Sequence, residues 1–83
     1  MLTERINLLR RLIAALSDAL HLANGLGESQ RAAEFHALRD STARELNTTV
    51  ERAFTNGVLT DAEVRNARRP IYGAHHEAVN ARV

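Results

Sequence analysis

Cysteine, lysine and tryptophan are absent from this chain, and proline occurs once. Without cysteine there is no disulfide, no thiolate metal site and no cysteine nucleophile. With only two Phe and one Tyr, a core must be built mostly from Leu, Ile, Val and Ala. No apolar run is long enough to cross a bilayer, because Arg10, Arg11, Asp18 and His21 interrupt the leucines of residues 2–26. A dominant charge is also lacking. Eleven basic residues, all of them arginine, stand against ten acidic ones for a net charge of +1. That balance gives no general drive towards nucleic acid or anionic lipid. A chain with neither cysteine nor a secretory leader is expected in the cytoplasm.

The 83 residues make one domain. A chain this short buries only roughly 60% of its unfolded surface, so its core is marginal. Small domains without disulfides compensate with a metal or by association.

The apolar pattern is helical throughout, and the expected fold is all-α: a small three-helix bundle over residues 1–83, assembled as a homodimer through its Leu-rich first helix. Helix 1 is expected over 3–24, capped by Thr3 and stopped by Asn24-Gly25. Leu2, Ile6, Leu9, Ile13, Leu16, Leu20 and Ala23 alternate in steps of four and three, which is a heptad seam. Beside them run Leu8, Leu12, Ala15, Ala19 and Leu22, and the two rows together cover about half the circumference. A short hairpin partner does not need so wide an arc. The surplus places Leu9, Ile13, Leu16 and Leu20 at an interface with a second copy.

Helix 2 is expected over 29–55 with Ser29 as its cap. Its narrower stripe comprises Phe35, Leu38, Thr42, Leu46, Thr49 or Val50, and Ala53. Thr48, Thr49 and Val50 are poor helix formers in isolation, so packing must hold that stretch. Arg39 falls inside the stripe; its stem is expected to carry the charge out to water, the alternative being an ion pair at a subunit contact with Glu34 or Asp40 of another copy. Asn56-Gly57 then ends the helix, because glycine takes a positive φ readily. Thr60 and Glu63 form a capping box, with Leu59 and Val64 as its hydrophobic staple. Helix 3 is expected over 60–82, kinked or broken near Pro70.

Several chemical readings fail on spacing. Aligning Gly57 with a calcium loop's glycine puts Arg52 and Phe54 at ligand positions, where neither can bind the ion. A helix-turn-helix register through Ala53 and Gly57 puts Glu63 where an apolar residue belongs and turns Arg52 inwards. Asp18/His21 and His36/Asp40 are each spaced to share a helix face, but a dinuclear bundle needs two Glu-x-x-His motifs and two further Glu. The helical chorismate mutases are similar in length and helix order, yet their spaced Arg and Lys ligands have no counterpart. No nucleophile–base pair, phosphate loop or paired-carboxylate site is present. The chain therefore reads as non-catalytic, without cofactor or metal.

On helix 3, Val64, Ala67, Ile71, Ala74 and Ala78 form the inward stripe. Arg65, Arg69, Tyr72 and His76 repeat at i, i+4, i+7 and i+11 on another face, given a helix continuous through Pro70. Tyr and Arg are over-represented in binding hot spots, so these four are the candidate partner-binding residues. The alternative is a nucleic-acid-binding regulator using Arg65, Arg68 and Arg69 of the Arg-rich third helix.

Residues 46–67 carry Glu-Leu-x-x-x-Val-x-x-Ala and Asn-Gly-Val-Leu-Thr-x-x-Glu. This stretch resembles the tail segments of small regulatory proteins of temperate phages. The resemblance implies a phage or prophage accessory protein, of antirepressor or inhibitor type, that binds and modulates another protein.

Overall fold

A computed structural model describes residues 2–71. Among these residues there are three helices and no strand: α1 (Leu2–Gly25), α2 (Ser29–Thr55) and α3 (Asp61–Ala67). The two long helices form a hairpin, and α3 folds back onto its open end.

Both hairpin helices end on a glycine in the left-handed region. Gly27 has φ 73° and Gly57 has φ 75°. At the first stop Glu28 N–H donates to the Ala23 carbonyl and Gly27 N–H to that of Asn24. At the second, Val58 N–H reaches Ala53 and Gly57 N–H reaches Phe54. Each pair of bonds is a Schellman closure, which satisfies carbonyls that the helix end leaves without partners. The Asn56-Gly57 stop is where the sequence places it. The first stop lies two residues later than expected, at Gly27 rather than Gly25. Glu28, not Ser29, occupies the N-cap position of α2 and makes no side-chain cap.

α3 begins with the capping box in full. Glu63 N–H donates to Thr60 Oγ1 at 3.2 Å, and Thr60 N–H donates to Glu63 Oε1 at 3.0 Å. Beneath it Leu59 is buried and Val64 packs against the core, as a staple requires. The expected break near Pro70 falls within the described residues, and α3 before it is short. The helix ends at Ala67, capped by Arg68, because proline disfavours helical backbone at the preceding residue, here Arg69. The rest of the expected helix, residues 72–82, lies outside the described residues.

The main apolar cluster lies towards the open end of the hairpin. Ile6, Leu9 and Ile13 of α1 meet Leu46, Val50 and Ala53 of α2, with Leu59 and Ala67 closing the top. Val50 is fully buried, which explains why the weak helix formers around it stay helical. Thr42 and Thr49 are also buried, and each hydroxyl donates to the carbonyl four residues back, so no polar atom is stranded. Towards the loop the packing thins. There the buried residues are Ala23, Ala32 and Thr42, while Leu16, Leu20 and Phe35 are only half-buried.

Candidate functional site

The segment after α3 is held by a side chain from α1. Arg10 Nη1 donates to the Ala67 carbonyl at 2.6 Å and to the Arg69 carbonyl at 3.0 Å. A cation belongs at a helix C-terminus, where unpaired carbonyls and the dipole both favour it. Burial, and then the charge of neighbouring Arg69, lower the Arg10 pKa from its ordinary value. The guanidinium nevertheless stays charged, as arginine does in proteins.

Two clefts lie beside α3, with Arg68 between them. One, of about 500 Å³, is bordered by Arg10, Arg39, Asp40, Arg68 and Arg69, with Ile13 and Ala43 below. The other, of about 450 Å³, is bordered by Glu51, Phe54, Val64, Arg65 and Arg68. Arg68 borders both and lies 3.7 Å from Glu51. Phe54 is 48% exposed, an aromatic ring beside two arginines.

Of the four residues of the expected partner-binding face, Arg65 and Arg69 are described. Arg65 is exposed in the last turn of α3, whereas Arg69 lies beyond the helix, in the bend before Pro70. They border different clefts. Tyr72 and His76 lie outside the described residues. The residue that sequence reasoning misses is Phe54. Helical geometry carries the signal for it: successive residues turn by about 100°, so Phe54 sits about 40° beyond Val50 and about 80° from Leu46. That is the edge of the α2 stripe, on the side that turns towards α3.

The residues expected between two copies are placed differently from one another. Leu9 and Ile13 are buried against α2, so they belong to the chain's own core and have no surface left for a second copy. Leu16 and Leu20 are half-buried. On α1 the large exposed apolar residues lie in the neighbouring row, in which Leu8 is 65%, Leu12 45% and Leu22 63% exposed. The heptad row through Leu9 and Ile13 is a packing seam, as its spacing predicts, but its partner is α2.

Among the described residues no group of three or more His, Asp or Glu side chains could hold a metal. His36 Nδ1 lies 3.4 Å from Asp40 Oδ2 in an exposed pair. Every buried side-chain nitrogen or oxygen described has a hydrogen-bond partner. No helix described is long and apolar enough to cross a membrane. Comparison with protein-family models, curated proteins and solved structures finds no match to this chain.

Proposed function

We propose that this protein is a non-catalytic regulator that binds another protein and changes its activity, as an antirepressor or inhibitor does. Its resemblance to temperate-phage regulators points the same way and suggests a phage or prophage origin. The observation that carries the reading is the cleft beside α3, where exposed Phe54 stands next to Arg65 and Arg68. An aromatic ring among arginines is the composition of a binding hot spot. Nothing in the local fold requires Phe54 there, since Val50 and Ala53 already fill the core side of that turn. The regulator acts as a homodimer, in keeping with its thin core near the hairpin loop.

A nucleic-acid reading rests on Arg65, Arg68 and Arg69, which are all exposed. Acidic residues share the two clefts with them: Glu51 and Asp61 in one, Asp40 in the other. That mixture favours protein over phosphate backbone.

Affinity capture from host cells with the intact protein as bait, followed by titration of the captured protein, tests the proposal. Phe54→Ala and Arg65→Ala are each expected to weaken binding roughly thirtyfold, as hot-spot truncations do, with helix content unchanged. Unchanged binding by both variants overturns the site. Tight DNA binding that falls steeply with salt, as counterion release demands, overturns the protein-binding reading itself.

A further inference from the structure

The outer apolar row of α1 has the repeat of a helix-packing seam. Leu8, Leu12, Ala15, Ala19 and Leu22 follow one another in steps of four, three, four and three, the repeat of a coiled-coil seam. α1 thus carries two seams. The one through Ile6, Leu9 and Ile13 is occupied by α2, whereas Leu8, Leu12 and Leu22 of the other stay exposed among the described residues. This second seam lies on the flank away from α3. Arg10 and Ser17 line the cleft on the α3 side, and the helical turn sets Leu12 nearly opposite both of them on α1. Exposed Leu38 of α2 is set in the same way nearly opposite Ala43 and Asn47, which line that cleft too. The apolar flank therefore involves both long helices.

We propose that this flank is the homodimer interface, with the two α1 helices packed antiparallel and crossing at Ala15. This rests on the dimeric reading above and gives it a surface and an orientation. The occupant is a second copy because the row is complementary to itself when reversed. About Ala15, Leu8 comes level with the partner copy's Leu22, and Leu12 falls beside its Ala19. Alanine meets alanine at the centre, where the backbones approach most closely. At the edge of the same seam Arg11 falls beside the other copy's Asp18, and by symmetry Asp18 beside its Arg11. Asp18 already has an interaction within its own chain, and a carboxylate has acceptor sites for more than one donor. A later segment of the same chain is a poorer occupant. Ile71, the last described residue, borders the cleft on the opposite flank.

The absence of cysteine makes a crosslinking test clean, since each introduced thiol is the only one available. In the full chain, Ala15→Cys is expected to form a disulfide dimer under mild oxidation. Leu8→Cys alone is expected to form none, because the two thiols would lie at opposite ends of the seam, beyond disulfide reach. The double variant Leu8→Cys/Leu22→Cys restores the crosslink. In sedimentation, Leu12→Asp is expected to convert the dimer to a monomer without loss of helix. A wild-type chain that remains monomeric at high micromolar concentration overturns the dimer altogether. A wild-type dimer that survives Leu12→Asp overturns this interface while leaving the dimeric reading intact. Crosslinking of Leu8→Cys as efficient as that of Ala15→Cys overturns the antiparallel orientation.

Discussion

Arg10 and Ala67 are 57 positions apart, yet the guanidinium of one donates to the carbonyl of the other at 2.6 Å. This contact fastens the end of the shortest helix to the middle of α1. A seven-residue helix is too short to persist unaided, because nucleation costs more than so few hydrogen bonds return. Its position depends on Leu59, Val64 and Ala67 packing from below and on Arg10 closing its end. Replacing Arg10 with Met keeps the stem and removes the charge. Hydrogen bonds to a charged group contribute roughly 1.5–3 kcal/mol, so Arg10→Met should lower stability by about 2 kcal/mol in urea unfolding. An unchanged midpoint would show that packing alone holds α3.

At the other end of α3, the Thr60–Glu63 box satisfies two backbone N–H groups at once. Thr60→Ala should cost about 1 kcal/mol, measured by thermal or urea unfolding. Thr60→Ser keeps the accepting oxygen and should leave the midpoint close to that of the wild type.

Gly25 and Gly27 separate two kinds of glycine. A Cβ added at either meets nothing within 4 Å, so only the backbone decides the outcome. Gly27 has φ 73°, a region that costs an L-residue roughly 1–2 kcal/mol. Gly25 is helical, where alanine is favoured over glycine by about 0.5–1 kcal/mol. Gly27→Ala should therefore destabilise the protein and Gly25→Ala should stabilise it. Equal effects in denaturant unfolding would contradict the assigned helix stop.

The same pair shows what is legible in the sequence. Asn24-Gly25 and Asn56-Gly57 read alike, but only the second pair is a stop. A further glycine two residues on lets α1 continue, and Leu26 N–H gains the Leu22 carbonyl before the chain turns. Local chemistry that is unique in its neighbourhood, such as the capping box, is legible directly. Pro70 reads as a kink or a break, and its effect on the preceding residue decides for a break after Ala67, so Arg65 and Arg69 do not share one unbroken helix. The two apolar rows of α1 both have heptad spacing, and periodicity alone cannot say which one α2 covers. That choice belongs to tertiary packing, which takes Leu9 and Ile13 into the core and leaves Leu8 and Leu12 outside. Phe54 escapes a reading by stripe because it stands at the stripe's edge, where only the return of α3 makes it part of a cleft.

Leu8 and Leu9 are neighbours with opposite environments, 65% and 6% exposed. Leu9 packs in the cluster with Leu46 and Val50, so Leu9→Ala leaves a cavity as well as losing burial. Such truncations cost about 2–5 kcal/mol, and the loss should be the same at every protein concentration at which the chain remains dimeric. Leu8→Ala removes no contact within the core of a single chain. In an isolated monomer it should change stability by less than about 0.5 kcal/mol, as surface substitutions do. If Leu8 is buried between copies, its truncation instead weakens association. The wild-type unfolding midpoint should then rise with concentration, because binding to the folded state stabilises it by mass action. For Leu8→Ala that rise should begin at higher concentration. Urea melts of both variants across a wide concentration range decide the matter. A Leu8→Ala melt as impaired as that of Leu9→Ala even at the lowest concentration would place Leu8 in the core and sink the division of α1 into an inner and an outer seam.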